Sequence, residues 1–394
     1  MSKTGIVTSF KRADKMKKII FASSALVTLS LAGAALAAGN SATIDQVGVY
    51  QTAAIDQTAS SSDGVATVTQ SDAYNSASVV QGGSGNQASV TQSQGVYGAV
   101  RIPSNVSNSD QEGTNDVLTV IQVGNNTSSV QQIAGSANEH ALVGQSNNGN
   151  TSAVVQAGNS ELAVVNQQSG GGNTASIAQA GAGDGIYTPY PYHSSPKWGP
   201  NLIWDENVPG DSVLPGASLG LTQYGPVGAI VDQVGSNNTG GISQQGYQNF
   251  ANVSQENDIF GTGGNAANIV QGAGQYYSTG LVFQYGQYNT ASISQVGAAS
   301  SYSTVWQYGN SNQAYSLQTS SDHSAIEQGF NSDGNDIGTQ VTGDVASVNQ
   351  SGAGDSSEVR QTGDYNQAYV TQAGANATAL VTQGGAYNLA VIHQ

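Results

Sequence analysis

Cysteine is absent from the 394-residue chain, charged residues make up 9% and proline occurs 8 times. Without Cys, a protein carried into an oxidising space has no disulfide to staple it. The hydrophobic share of 38% lies below the usual globular range, so a conventional Leu-rich core is excluded. Basic residues are scarcest: six of the nine (Lys3, Lys11, Arg12, Lys15, Lys17, Lys18) precede the first apolar run, leaving Arg101, Lys197 and Arg360. Asp14 lies in the same segment, so beyond it 24 acids face three bases, a charge of about −21. That balance excludes nucleic acid as a partner and disfavours an anionic membrane surface.

Catalytic signatures are missing as well. No G-x-S-x-G, Walker loop or H-E-x-x-H occurs. His140, His193, His323 and His393 are scattered, with no partner at metal-ligand spacing. G-G-x-G-x-D is not repeated, so calcium is not expected. The sequence predicts a protein that is not an enzyme and has no metal and no cofactor.

What is present begins with a leader. Met16, Lys17 and Lys18 form a positive stretch, Ile19 to Ala34 an apolar one, and Ala35-Leu36-Ala37 a small-residue cleavage site. Residues 1–37 are therefore expected to be a secretory signal peptide, with 1–15 an extension upstream of an initiating Met16. Polar sequence follows at once, without the flank that stops transfer of a membrane span.

From Asn40 onward the chain returns to N-x-A-x-φ-x-Q-x-G, where φ is Val, Ile or Leu. Copies include Asn40-Ala42-Ile44-Gln46-Gly48, Asn75-Ala77-Val79-Gln81-Gly83, Asn173-Ala175-Ile177-Gln179-Gly181, Asn289-Ala291-Ile293-Gln295-Gly297, Asn366-Ala368-Val370-Gln372-Gly374 and Asn388-Ala390-Ile392-Gln394. Aligned on Gln, twelve copies run from Gln46 to Gln179 and sixteen from Gln223 to Gln394, Gln340 among them. A period of about eleven residues is the mark of a solenoid. Spacing by two places Asn, Ala, φ and Gln on one face of an extended strand. Gly, Asn, Asp, Ser and Tyr between copies supply the positive φ of tight turns.

An isolated strand of this length cannot bury its own face, but copies stacked at about 4.8 Å satisfy one another's backbone groups. Identical inward residues then meet, Gln over Gln and Asn over Asn, as amide ladders around a thin interior of Ala, Val and Ile. The expected fold is all-β: a β-solenoid of roughly fourteen two-arc coils, a rod of about 65 Å at that spacing. Both ends of the array read as uncapped.

The array is divided into a first repeat block, 38–183, an insertion, 184–216, and a second block, 217–394. The insertion holds six of the eight Pro and two of the three Trp. Pro cannot donate to a ladder, which makes the insertion a loop at one edge. Tyr190, Tyr192, Trp198 and Trp204 make it a candidate contact surface. A smaller interruption, Val96 to Pro103, precedes a degenerate copy at Asn105-Ser107-Ser109-Gln111-Gly113. Asp45, Asp56, Asp322, Asp344 and Asp355 are expected to face outward, repelling flat neighbours and slowing premature aggregation. Asp45 and Asp56 fall on opposite faces of a two-arc coil, which argues against paired-carboxylate catalysis. Tyr recurs at turns, as in Tyr74, Tyr288, Tyr365 and Tyr387 before Asn, where rings are expected to stack; dye or sugar binding along them is the functional alternative.

Ser278-x5-Gln284-x-Gly286-x2-Asn289-x-Ala291-x3-Gln295 resembles the curlin repeat, S-x5-Q-x-G-x2-N-x-A-x3-Q. Ser301, Gln307, Gly309, Asn312, Ala314 and Gln318 repeat the pattern without a gap, and Gly363 holds the same Gly place before Asn366. The resemblance implies a subunit of curli, the extracellular amyloid surface fibres of biofilm-forming Gram-negative bacteria. It implies as partners the chain itself, other curlin-type subunits, an outer-membrane secretion pore and a nucleator. The chain departs from the family in its longer array, its divided repeats and the lack of a repeat-free targeting segment after the leader. The alternative is a monomeric β-solenoid adhesin that binds glycan or another surface ligand. An ice-binding face would require regular outward Thr, which the varied outward positions do not provide.

Overall fold

The computed structural model describes residues 6–11, 26–30, 39–58, 61–93, 105–168, 170–182, 228–257, 263–297, 300–329 and 341–394. These residues are strands and turns, with no helix among them. The chain divides into two compact units, Met1–Ala182 and Gly183–Gln394.

In the first unit one sheet stacks Ser41–Val49, Val65–Ala73, Gln87–Ser93, the leading halves of Val117–Gln132 and His140–Gln156, and Leu162–Gln168. The other stacks Thr52–Gln57, Ser76–Gln81, Val106–Gln111, the trailing halves of the same two long strands, and Thr174–Ala182. Successive arcs alternate between the sheets and every coil-to-coil pairing is parallel, giving six coils. The described residues of the second unit repeat this plan in seven coils, from the pair Ala229–Val234 and Thr239–Tyr247 to the pair Thr378–Gly384 and Leu389–His393. The expected all-β solenoid of two-arc coils is thus the fold.

Burial follows the period of two. In Thr52–Gln57 the side chains of Ala53, Ile55 and Gln57 are buried while those between them reach the surface. The interior is a set of columns, such as Ile242, Ile269 and Ile293 in one sheet of the second unit, facing Val231, Val253 and Val282 in the other. Small residues let the two sheets approach, which is why Ala and Ser alternate with Val and Ile. The degenerate copy fits the same plan: Asn105, Ser107, Ser109 and Gln111 are all buried.

Two features differ from expectation. Among the described residues the ladder passes from Gln318 directly to Gln350 and from Gln328 directly to Gln361, without the intervening row Gln that the repeat count predicts. Gln340 and Gln223 themselves lie outside the described residues. The first coil is also not bare. In the segment expected to be a leader, Ile6–Lys11 pairs antiparallel with Ser41–Gln46, and Leu26–Ser30 pairs parallel with Thr52–Asp56. The remaining residues of 1–37, and the insertion 184–216, lie outside the described residues.

Candidate functional site

The two rows of Gln are continuous within each unit. In the first, Gln46, Gln70, Gln92, Gln122, Gln145 and Gln167 form one row and Gln57, Gln81, Gln111, Gln132, Gln156 and Gln179 the other. In the second, one row runs Gln233, Gln255, Gln284, Gln307, Gln328, Gln361, Gln383. The facing row runs Gln244, Gln271, Gln295, Gln318, Gln350, Gln372, Gln394. Each Nε2 donates to the Oε1 of the next coil, at distances from 2.6 Å at Gln46 to 3.1 Å at Gln372. The second Nε2 proton crosses the interior to a backbone carbonyl of the facing arc, as from Gln295 to Thr279 at 3.0 Å and Gln318 to Tyr302 at 3.0 Å. One side chain therefore ties coil to coil and sheet to sheet. That double use satisfies amides that would be costly to bury alone.

The Asn residues form their row differently. Amide-to-amide contact is the exception, seen from Asn105 to Asn75 at 3.1 Å and from Asn388 to Asn366 at 2.9 Å. The general rule is that Oδ1 accepts the backbone N–H of the equivalent residue in the next coil. Asn265 donates in this way to Asn238, Asn289 to Asn265, Asn312 to Asn289, Asp344 to Asn312, Asn366 to Asp344 and Asn388 to Asn366, within 2.8 to 3.1 Å. Asn173 donates to Asn150 at 3.2 Å, and Asn40 accepts from Gly64 at 2.9 Å. Nδ2 folds back on the turn: Asn75 donates to the Ser71 carbonyl at 2.7 Å and Asn289 to that of Tyr285 at 3.2 Å. These side chains are turn clamps, because the Asn stands where the chain leaves one arc for the next.

Ser278 and Ser301 occupy the same place and are buried. The Ser278 N–H donates to Asn249 Oδ1 at 3.1 Å and its hydroxyl to Gln275 Oε1, while the Ser301 hydroxyl donates to the Ser320 carbonyl.

Three acids were expected at the surface and are not there. Asp322, Asp344 and Asp355 are 2%, 0% and 1% exposed. Each stands six residues before a row Gln, as Asn40 stands before Gln46, so each belongs to the clamp row and not to the outer face. Asp45 and Asp56 do point outward, half-buried, on different sheets. Asp116, Glu139 and Glu161 occupy the clamp row too, each at most 1% exposed, and the motif with Asn in first place passed over them. The signal that finds them is the same spacing of six, to Gln122, Gln145 and Gln167.

Of the turn glycines, Gly48, Gly83, Gly286, Gly297, Gly309 and Gly363 have φ between +74° and +145°, whereas Gly181 and Gly374 are not in that region. Six tyrosines (Tyr50, Tyr74, Tyr277, Tyr288, Tyr365, Tyr387) also take positive φ. Turn rings stack on the next coil: Tyr50 on Tyr74 and Tyr285 on Tyr308 at 5.0 Å, Tyr365 on Tyr387 at 5.3 Å. Tyr190, Tyr192, Trp198, Trp204 and His193 lie outside the described residues.

The coil that begins at Asp355 shows the arrangement whole. Asp355 and Asn366 clamp the two turns, Gln361 and Gln372 stand in the two rows, and Gly363 makes the bend between them with φ +140°. Residues 355–385 match the curlin associated repeat. The match falls on one full curlin repeat, Asp355-x5-Gln361-x-Gly363-x2-Asn366-x-Ala368-x3-Gln372, and runs on into the following arc. It places Asp at the curlin Ser position, which the geometry explains, since Ser278 and Asp355 hold equivalent sites. A curli-type subunit is what the repeat and the solenoid together suggest, and extracellular fibres are what the curlin family implies. No curated protein sequence matches the chain.

Proposed function

We propose that the chain is a structural subunit of extracellular curli-like amyloid fibres, lengthened by stacking the first coil of one copy on the last coil of another. The observation that carries this reading is the state of the row ends. Gln46 Oε1 is buried at the first coil without a donor. At the last coil Gln394 Nε2 donates only to Thr378, at 3.2 Å, and the strand there leaves Leu389 and Val391 each 67% exposed. An acceptor without a donor at one end and a donor with spare capacity at the other are complementary, so a second copy would continue both rows and both sheets. In the uncleaved chain, leader strands sit on the first coil; cleavage after Ala37 would free that edge.

On this reading the partners are further copies of the chain and other curlin-type subunits, with a secretion pore and a nucleator of the curli type. The site of action is the surface of a Gram-negative cell, in adhesion and biofilm matrix. The test is to incubate the chain from Ala38 with an amyloid dye and to record fibre diffraction. Dye-positive fibres with a meridional reflection at about 4.7 to 4.8 Å are expected. A persistently soluble monomer without that reflection sinks the reading.

One observation favours a surface-binding role for the single solenoid. The stacked turn tyrosines are exposed, Tyr50 by 62% and Tyr387 by 78%, and offer a ring surface to neutral sugars. Glycan retention by the soluble monomer, lost on replacing these tyrosines, would favour it over the fibre.

A further inference from the structure

The clamp row is built for an amide, yet acids interrupt it. Asp344 stands between Asn312 and Asn366, Asp116 and Glu139 follow Asn86, and Asp322 and Asp355 are successive. One oxygen of each Asp does the work of Asn Oδ1: Asp344 Oδ1 accepts from the Asn366 N–H at 2.8 Å and Asp322 Oδ1 from that of Asp355 at 3.2 Å. Glu139, longer by one methylene, uses Oε1 to accept the Gly158 N–H at 2.7 Å, three residues before its counterpart Glu161 in the same turn of the next coil.

An Asn in this row also donates, to the carbonyl four residues earlier: Asn150 to Ser146 at 2.6 Å, Asn238 to Val234 at 3.0 Å. Gln51, in the same place, donates likewise to Val47 at 3.3 Å. A carboxylate has no proton to give. Accordingly Glu139 Oε2 and the Oδ2 atoms of Asp322, Asp344 and Asp355 are buried without a well-formed hydrogen bond. The Ser136 hydroxyl near Glu139 and the Asn366 amide near Asp344 favour the charged form, but by less than burial favours the neutral one. A neutral carboxyl, with one C=O acceptor and one O–H donor, reproduces both functions of the amide.

The charged surroundings also favour the neutral form. Glu139 faces Asp116, with Glu161 at the same place in the following coil; Asp344 faces Asp364, and Asp322 faces Asp355. Arg360 lies on the outer face with Glu327 and Glu358. His140 and His323 follow Glu139 and Asp322 in the chain, on the opposite side of the strand, and burial holds both below the usual histidine range. Burial pushes the carboxyls of Glu139 and Asp344 up to about 7, and those of Asp116 and Asp322 upward.

We propose that Glu139 and Asp344 are carried inside the solenoid as neutral carboxyls acting in place of Asn, so that the chain takes up protons as it folds and is firmest in mild acid. The folded group binds its proton more tightly than the unfolded one. The stabilisation is therefore complete below the unfolded carboxyl range, near pH 4, and is lost as pH rises through about 7. Each group would lower the folding constant by about a hundredfold across that window. This concerns the single chain and holds whether or not copies polymerise.

The test is urea unfolding of the freshly prepared full chain at pH 5 and pH 8, beside the double variant Glu139→Gln, Asp344→Asn. The wild type should unfold at distinctly lower urea at pH 8, and the variant should lose most of that difference by gaining stability at pH 8. Carbon-13 carboxyl titration of the folded wild type gives a second readout that needs no variant: two carboxyls should titrate near neutrality. An unchanged pH difference in the variant, or carboxyls that are all ionised at pH 6, overturns the inference.

Discussion

Gln295 shows what a single side chain does in this fold. It accepts from Gln271 at 2.9 Å and donates to Gln318 at 2.9 Å and to the Thr279 carbonyl at 3.0 Å, all inside the stack. Replacing it with Ala leaves groups in two neighbouring coils and the facing arc short of a partner, at about 1 to 3 kcal/mol for a buried group left unpaired. Gln295→Ala is expected to cost about 3 kcal/mol in denaturant unfolding, and Gln394→Ala, at an exposed end, under about 1 kcal/mol. The row Gln residues were legible in the sequence because a spacing of two and a recurrence near eleven admit one geometry. The clamp row was only half legible. Asn, Ser, Asp and Glu share an oxygen acceptor at one place in the turn, but a motif written with Asn in that place sees only one of them. Asp344 therefore reads as a surface charge until the backbone shows what its carboxyl holds.

At the scale of arcs and turns, the strands need little explanation beyond their alternation, whereas the turns divide into two kinds. Gly286 lies at φ +112°, and a Cβ there would meet the Gly309 carbonyl oxygen of the next coil at 2.0 Å. Gly374 is not in the left-handed region, and a Cβ there would meet nothing within 4 Å. Gly286→Ala is therefore expected to destabilise by more than about 2 kcal/mol, from strain together with a backbone clash. Gly374→Ala should lie within about 0.5 kcal/mol of wild type, and thermal unfolding of the two variants side by side checks the contrast. Both glycines follow Gln by two residues, so the sequence alone treats them alike. Both turns have the same spacing, eleven residues from Gln to Gln. The difference lies in the backbone of the bend and in what covers it, since Gly374 stands in the last coil, while a Cβ on its counterpart one coil earlier, Gly352, would meet the Gly374 carbonyl oxygen. Neither is encoded in the repeat. The same holds for the segment between Gln328 and Gln350, where the ladder, among the described residues, lacks the third Gln that the usual interval predicts.

For the molecule as a whole, each coil touches only the coils before and after it, so stability accumulates along the stack rather than around a centre. In the second unit, hydrogen exchange should be slowest in Thr279–Gln318, which has coils on both sides, and fastest in Thr378–His393. Uniform protection across these strands would contradict a one-dimensional build. The solenoid class and the alternation of arcs were legible because every copy repeats the same instruction. The pairing of Ile6–Lys11 and Leu26–Ser30 with the first coil was not, since those residues carry no repeat.

The Gln rows have one further property. Every Nε2 points toward the following coil and every Oε1 toward the preceding one. Backbone carbonyls alternate in direction along a strand and largely cancel, but these side-chain dipoles all share one sense, as peptide dipoles do in a helix. Each row is thus a vector along its stack, and it lengthens with every coil added. A copy arriving upside down would set carbonyl against carbonyl, so the amides impose an electrical direction on growth as well as a register.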